Sequence, residues 1–299
     1  MSVHQYQISI QQFIDYLQYE KRYSSHTVLA YHTDLEQFFA YLQSQYDAID
    51  IKEINASIIK SWLAEVKNDD ISSRSIKRKI SSLKSFFKFH LKSGLISKSP
   101  VANIIAPKIS KRLPSFVAEK DMNTLLNTLD FEDNWQGKTE RLVILTFYHT
   151  GIRLSELINL PLNQIDFHYN QIKVLGKGNK ERIIPITSEL VVNLQEYIQE
   201  RITIETDVNY LFITDKGKPM TRSRVYKLVK ENIGKVSTIH KKSPHVLRHT
   251  FATHLMNNGA ELNAVKELLG HSSLAATQVY THNTIEKLKE AFKKAHPKA

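Results

Sequence analysis

Arginine, lysine, histidine and tyrosine side chains recur in four short stretches of the second half of the chain. In the first, TGIRLSEL at residues 150–157, Gly151 interrupts an apolar helical pattern, Arg153 follows, and Glu156 comes one helical turn later. A carboxylate at i+3 can hold an arginine in one orientation, and an oriented guanidinium binds paired oxygens such as those of a phosphate. The alternative is a surface salt bridge of little energetic value.

The second stretch, GKGNKER at residues 176–182, places Lys177 between two glycines at the tip of an expected hairpin. Flanking glycines leave its ammonium group unobstructed, so it can reach a phosphate or donate a proton to a departing oxygen. Gly-Lys-Gly is also an ordinary turn composition, and alone it predicts only a turn.

The third stretch, SPHVLRHTFATH at residues 243–254, begins with Ser243-Pro244, which is typical of a helix N-terminus. His245 and Arg248 then lie on one face of the first turns, beside the helix end that attracts anions. A zinc site is the alternative, and it would be built from His245, His249 and His254. The HExxH pattern is absent and no acidic ligand lies nearby, which counts against zinc.

The fourth stretch runs from Leu268 to His282. Gly270 is expected to end one helix and Ser272 or Ser273 to cap the next, which leaves His271 on a tight, exposed junction. Tyr280 lies about two turns into the following helix. A lone tyrosine is also a common core or interface residue.

The first hundred residues predict a frame of helices for this chemistry. Apolar residues recur at helical spacing in four segments, which include Phe13, Leu35, Ile59 and Phe86. Three of these segments begin at side chains that can cap a helix: Ser24 or Ser25, Asn55, and Ser72 or Ser73. Gly94 suits the end of the fourth.

The polar face of the fourth helix is basic and consists of Arg74, Lys77, Arg78, Lys79, Lys84 and Lys88. Such a helix can lie along a phosphate backbone or in a groove of DNA. The region 216–230 carries further basic residues. The predicted DNA contacts are Arg74, Lys77, Arg78, Lys84, Arg222 and Arg224. A solvated charged face is the alternative.

Prolines at 100, 107 and 114 predict an extended linker over residues 97–114. It separates a first domain, residues 1–96, from a second, residues 115–299. The second domain is predicted to be helical except for residues 164–186, where β-branched residues alternate with polar ones between turn signals. That pattern indicates a small three-stranded antiparallel sheet, so the expected fold class is mainly α with two domains.

The 299 residues carry a formal net charge of +11, which favours a polyanionic partner, although basic proteins without one are common. The chain has no cysteine, which excludes disulfides, thiol catalysis and Cys-ligated metal. No apolar run is long enough to span a bilayer, and residues 1–10 lack the apolar region of a signal peptide. We therefore expect a cytoplasmic protein.

Taken together, the four stretches resemble the tyrosine recombinase (phage integrase) family, and within it the Xer subfamily. The segments that carry the resemblance are TGIRLSEL, GKGNKER, HVLRHTFATH, LGHSS and TQVYTH, in that order. The resemblance covers nearly the whole chain. It implies a catalytic set with no departure at its six positions: Arg153, Lys177, His245, Arg248, His271 and Tyr280.

The resemblance also implies a role for each of these residues. Arg153 and Arg248 would neutralise the phosphate, and His245 and His271 would add hydrogen bonds. Tyr280 would attack phosphorus to form a 3′-phosphotyrosine, and Lys177 would protonate the departing 5′-oxygen. Because the phosphotyrosine would keep the bond energy, strand joining would need no ATP. The two arginines and the lysine would already neutralise the phosphate, so neither a metal ion nor any other cofactor is expected.

The architecture implied is a C-shaped clamp on double-stranded DNA, with an N-terminal four-helix, SAM-like core-binding domain and a helical catalytic domain. Four protomers would assemble on two DNA sites, with a second Xer-type recombinase and an accessory activator as possible partners. The tail, residues 285–295, resembles one that docks on a neighbouring protomer through Leu288, Ala291 and Phe292; an intramolecular helix is the alternative. No arm-binding domain is expected at the N-terminus, which favours resolution of chromosome dimers over a mobile-element integrase.

Three other functions compete with this interpretation. A DNA-binding protein without catalysis shares the charge and the helices but does not need the six-residue set. A type IB topoisomerase uses similar chemistry without a second DNA site. A metallohydrolase would lose its activity in EDTA.

Overall fold

The computed structural model describes residues 3–46, 49–68, 71–108, 115–176, 181–270 and 290–298. The chain divides into two compact units, Met1–Arg112 and Leu113–Ala299. Each unit has its own hydrophobic core. In the part of the chain that the structure describes, no helix is long and apolar enough to cross a membrane.

The first unit is built from the expected four helices: α1 (Val3–Asp15), α2 (Ser25–Tyr46), α3 (Ala56–Asn68) and α4 (Ser73–Lys92). A π-helical turn, Tyr16–Glu20, extends α1. The predicted caps are confirmed: Asn55 Oδ1 accepts from the backbone N–H groups of Ser57 and Ile58, and Ser72 Oγ accepts from that of Ser75. Each cap satisfies N–H groups that have no partner inside the helix.

The apolar stripes of these helices meet in one core rich in aromatic rings, including Phe13, Phe38, Trp62 and Phe86. One residue of the predicted basic face lies inside this core instead. Lys79 is 3% exposed, and its ammonium contacts Asp34 Oδ1 at 3.1 Å and lies over the Trp62 ring. The prediction that Lys79 lies on the polar face was wrong, because its position three residues after Ile76 and four before Leu83 is on the buried stripe. The buried carboxylate of Asp34 compensates its charge.

The predicted linker begins with residues that belong to the first unit. Val101 and Ile104 are buried in its core at 2% and 4% exposure, on a turn that follows Pro100. Prolines ended the helical pattern as expected, but the turn after Pro100 folds apolar side chains back onto the helices. Residues 109–114 lie outside the described ranges.

The described part of the second unit contains the helices α5 to α11. They are α5 (Glu119–Asn127), α6 (Trp135–Thr150), α7 (Leu154–Ile158), α8 (Ser188–Arg201), α9 (Arg222–Val236), α10 (Pro244–Asn257) and α11 (Leu262–Leu269). Helix α6 is the centre of the unit, since Leu142 to Thr150 are all buried and α8, α9 and α10 pack around it.

The three-stranded antiparallel sheet is confirmed, with order β1 (Ile165–Asp166), β2 (Gln171–Leu175) and β3 (Glu181–Pro185). Ile172 pairs with Ile184 and Val174 with Arg182, so these four side chains share the buried face. The register therefore turns an arginine of β3 toward the interior.

The C-terminal segment, residues 290–298, packs on its own second unit. Phe292 and Ala295 are buried against Phe251 and Leu255 of α10 and against α11. The tail thus follows the intramolecular alternative, and Leu288 lies outside the described residues.

Candidate active site

Gly151 ends α6 in the left-handed conformation, at φ +57°. A Cβ on this residue would lie 2.4 Å from Cδ1 of Phe251, so a larger residue would meet both backbone strain and a packed ring. The sharp reversal at Gly151 lets the chain start α7 three residues later, at Leu154, with Arg153 as the residue that caps its N-terminus.

Glu156 holds Arg153 by two contacts, as the i, i+3 spacing predicted. Oε1 accepts from Nη1 of Arg153 at 2.8 Å, and Oε2 accepts from its backbone N–H at 2.8 Å. The Glu156 side chain is 4% exposed and that of Arg153 is 30% exposed. The pair is therefore not a surface salt bridge, because a buried carboxylate fixes a guanidinium that still reaches solvent.

A second arginine, Arg182 of β3, binds the same carboxylate. Its Nη1 and Nη2 donate to Oε1 and Oε2 of Glu156 at 2.7 and 2.8 Å. Burial alone would raise the pKa of Glu156, but the hydrogen bonds and charge of Arg182, together with the backbone and side-chain hydrogen bonds of Arg153, lower it to about 2. Glu156 is therefore a permanent anion between two guanidinium groups.

Three arginines bind three successive carbonyl groups at the C-terminal end of α11. The contacts are Arg182 Nε to Leu268 O at 3.0 Å, Arg248 Nη2 to Leu269 O at 2.6 Å, and Arg153 Nη2 to Gly270 O at 2.8 Å. The last carbonyls of a helix have no partner within it and carry the negative end of its dipole. The cluster thus joins α7, β3, α10 and α11 directly before residue 271.

Arg248 also donates through Nη1 to Gly151 O at 2.5 Å, which ties α10 to the reversal after α6. Burial, and then the charges of Arg153 and Arg182, lower the pKa of the Arg248 guanidinium, and Glu156 only partly offsets them. The cluster contains three guanidinium groups and one carboxylate, and only Arg153 and Arg182 bind that carboxylate. The site is therefore short of negative charge, as an anion-binding site should be.

Pro244 is the first residue of α10, as predicted, and places His245 on an exposed first turn. The Ser243 side chain accepts no capping hydrogen bond, so that part of the prediction was wrong. The backbone N–H of Val246, which such a cap would bind, donates to the Ser243 carbonyl oxygen at 2.9 Å instead. His254 is buried and its Nδ1 bonds to the hydroxyl of Tyr148. Within the described ranges no group of three His, Asp or Glu side chains is placed to hold a metal.

The structure thus brings Arg153 and Arg248 together at the end of α11 and places His245 one turn before Arg248. The other three predicted catalytic residues lie outside the described residues: Lys177, His271 and Tyr280. Lys177 follows two residues after β2 ends, and His271 follows Gly270 directly in the sequence.

The six predicted DNA contacts fall into two groups. Arg74, Lys77, Lys84 and Arg222 are exposed. Arg78 donates from Nη1 to Asp34 Oδ2 at 2.6 Å and to Ala30 O at 2.9 Å. Arg224 contacts Gln136 at 3.4 Å and Asp215 at 3.8 Å, so both of these arginines already have partners within the chain.

Comparison with known proteins identifies the family. The phage integrase family model matches residues 115–287, and the model of the phage integrase N-terminal SAM-like domain matches residues 10–94. The chain belongs to the phage integrase family. It is a tyrosine recombinase, and full-length relatives at more than 30% identity support this.

Two of these relatives show how much of the chain is shared. The tyrosine recombinase XerC of Chlorobaculum parvum is 36% identical over 317 residues, covering 97% of this chain and 94% of the relative. The tyrosine recombinase XerD of Staphylococcus haemolyticus is 37% identical over 298 residues, covering 97% of this chain and 99% of the relative.

Solved structures of recombinases resemble this chain over most of its length. The XerH site-specific recombinase bound to palindromic difH substrate, a post-cleavage complex, has a TM-score of 0.69 and 26% identity over 88% of this chain and 78% of that one. The Tn1549 transposon integrase with circular intermediate DNA has a TM-score of 0.71 at 21% identity, over 93% of this chain and 98% of that one. The second likeness concerns the fold alone.

Sequence reasoning missed Arg182 in this tyrosine recombinase. It ends the GKGNKER stretch, in which Lys177 was the predicted functional residue. The signal that identifies Arg182 is strand alternation: it is two residues before Ile184 and therefore faces inward with it. A charged residue at an inward position of a predicted strand demands a buried partner of opposite charge, and Glu156 is that partner.

Proposed function

We propose that this tyrosine recombinase cuts and rejoins double-stranded DNA at a specific site through a covalent bond between Tyr280 and the DNA. The observation that carries the proposal is the arginine cluster, in which Arg153 and Arg248 are fixed side by side on adjacent carbonyls of α11. A scissile phosphate is the anion that such a pair suits, because its non-bridging oxygens accept from planar guanidinium groups.

In this proposal Arg153 and Arg248 bind the scissile phosphate. A guanidinium has five N–H groups, and in the described part of the chain each arginine uses one on Nη1 and one on Nη2 for the contacts that fix it. The others remain for the phosphate oxygens. Their charge then stabilises the transition state as negative charge builds on those oxygens.

The remaining roles complete the reaction. The Tyr280 oxygen forms a bond to phosphorus, the bond to the 5′-oxygen breaks, and Lys177 gives that oxygen its proton. His245 and His271 donate hydrogen bonds to the phosphate, and one of them accepts the tyrosine proton. Attack of a 5′-hydroxyl on the phosphotyrosine reverses these steps and joins the strands. The phosphoester count is unchanged, so ATP is not consumed, and no step is assigned to a metal.

We place the biological role in the resolution of chromosome dimers. The relatives at 36% and 37% identity carry the names XerC and XerD, which supports this role over a mobile-element integrase. The same names support a second Xer-type recombinase as a partner in a tetramer on two DNA sites, and an accessory protein as activator. A cytoplasmic location is consistent with this work on chromosomal DNA.

The test is a covalent-trapping assay in EDTA. Genomic fragments bound by the protein supply the target site, and a duplex with that site is nicked so that the cut fragment diffuses away. Wild type should give a protein–DNA adduct on a denaturing gel, and Tyr280→Phe should give none while still binding the duplex. No adduct from wild type despite binding would contradict the proposed reaction. An adduct that persists in Tyr280→Phe would contradict the choice of nucleophile.

A further inference from the structure

We propose that Arg182 is a positioning residue for strand cleavage, which acts through Glu156 on Arg153. The proposal rests on the function given above and adds a residue outside the six-residue set. Arg182 does not qualify as a phosphate ligand, because its side chain is 4% exposed whereas that of Arg153 is 30% exposed. Its effect on the reaction must therefore pass through the groups it touches.

The contacts of Arg182 restrict the Glu156 carboxylate to one orientation. The guanidinium donates from Nη1 and Nη2 to the two carboxylate oxygens of Glu156, and from Nε to Leu268 O. This fixes the guanidinium plane and with it the carboxylate plane. Arg153 binds that same carboxylate through Nη1 and through its backbone N–H. A rotation of Glu156 would therefore move Arg153 away from the phosphate.

Gly270 provides space for this arrangement. It adopts φ +63°, and a Cβ there would lie 2.9 Å from Cδ of Arg182 and 3.3 Å from its Nε. The arginine thus passes directly beneath the residue whose carbonyl Arg153 binds. Lysine has a single nitrogen and lacks the planar fork, so it cannot meet two carboxylate oxygens and a carbonyl together.

A buried ion pair that only stabilises the fold is the competing explanation. The two explanations differ in what they predict for an uncharged substrate. A methylphosphonate at the scissile position has a methyl group in place of one non-bridging oxygen and carries no charge, so the guanidinium of Arg153 matters less for its cleavage. A defect that arises through Arg153 should shrink on that substrate, and a defect in folding should not.

The experiment measures single-turnover cleavage of the phosphate and methylphosphonate duplexes by full-length protein with saturating DNA. Arg182→Lys is the main variant, and Glu156→Gln is the second, since it breaks the same link from the other side. Arg201→Lys is the matched control, because Arg201 is also a buried arginine of this unit and binds only the carbonyls of Val208 and Tyr210 among the described residues. Urea unfolding gives the folded fraction of each protein.

On the phosphate duplex we expect Arg182→Lys and Glu156→Gln to cleave about 100-fold more slowly per folded molecule, with DNA affinity within about 3-fold of wild type. On the methylphosphonate duplex the defect should fall below about 10-fold. In an Arg153→Ala background, Arg182→Lys should lower the cleavage rate only slightly further. Arg201→Lys should cleave both duplexes at the wild-type rate per folded molecule.

Equal defects on the two duplexes, or full additivity with Arg153→Ala, would overturn the proposal while wild type still forms its adduct. Wild-type rates in both folded variants would overturn it as well. Absence of any wild-type adduct on the phosphate duplex would instead contradict the proposed function, and the role of Arg182 with it.

Discussion

The guanidinium of Arg182 and the carboxylate of Glu156 form a two-bond pair in which each side chain is only 4% exposed. Removing one partner of such a pair leaves the other charge buried and uncompensated. We therefore expect Glu156→Gln to lower the free energy of unfolding of the second unit by about 3 kcal/mol.

Urea unfolding at pH 7 measures this effect. Trp135 lies in the second unit and Trp62 in the first, so Trp135 fluorescence reports the second unit in a Trp62→Phe background. Glu231→Gln is the control, because Glu231 is exposed and lies 4.0 Å from Lys227; it should change the free energy of unfolding by less than about 0.5 kcal/mol. Equal effects of the two substitutions would contradict the buried pair.

Two glycines of the second unit separate backbone strain from steric conflict. Gly259 has φ +89°, and a Cβ added to it would have no atom within 4 Å, whereas a Cβ on Gly151 would lie 2.4 Å from Phe251. Gly259→Ala should cost about 1 kcal/mol of unfolding free energy through strain. Gly151→Ala should cost about 2 kcal/mol more through overpacking. The same urea assay compares them, and similar losses would argue against the tight packing at Gly151.

The C-terminal segment should make stability depend on pH. Burial, and then the charges of His254 and Lys298, lower the pKa of His296 to about 4, despite its hydrogen bond to the Tyr148 carbonyl. The unfolded chain, with a histidine pKa near 6.5, then takes up the proton first. The stability that the buried, neutral His296 contributes is therefore complete above about pH 6.5 and is lost as the pH falls toward 4.

Unfolding free energies at pH 7.5 and pH 5 test this contribution. The drop between them should be smaller by about 2 kcal/mol in His296→Gln than in wild type. His168→Gln, which changes a histidine that is not buried, should leave the drop unchanged. An unaltered drop in His296→Gln would show that the ring is accessible to protons in the folded protein.

Two neighbouring basic residues of α4, Lys77 and Arg78, should differ in whether they contribute to DNA affinity or to the stability of the first unit. Both Lys77 and Arg78 are exposed, but the Arg78 guanidinium is bound to Asp34 and to the Ala30 carbonyl. Lys77→Ala should weaken DNA binding and reduce the slope of log affinity against log salt by about 1, with stability unchanged. Arg78→Ala should instead lower the stability of the first unit, read from Trp62 fluorescence. Fluorescence anisotropy at several salt concentrations gives the slopes. An unchanged affinity and slope for Lys77→Ala would show that Lys77 does not contact DNA.

The sequence predicted those features that depend on local pattern. Asn55 and Ser72 cap their helices, Gly151 ends α6, and alternation over residues 164–186 gives the sheet. These succeed because capping, positive φ and strand alternation act within a few residues. The i, i+3 spacing of Arg153 and Glu156 worked for the same reason.

Long-range compensation was not predicted from the sequence. Lys79 looks like a surface lysine until Asp34, 45 residues earlier, is seen beside it. Arg182 and Glu156 are 26 residues apart, and Arg182 meets Leu268 a further 86 residues on. Buried charges are stable only with such partners, and no local pattern names the partner.

Mapping the residue that carries the DNA tests the central claim most directly. The trapped adduct is digested with nuclease and trypsin, and the modified peptide is sequenced by mass spectrometry. Trypsin cuts after Lys266 and Lys287, and the peptide 267–287 contains one tyrosine, Tyr280. We predict a nucleotide on Tyr280, attached through its 3′-phosphate, with a free 5′-hydroxyl on the released strand. A nucleotide on any other residue, or one attached through a 5′-phosphate, would contradict the account.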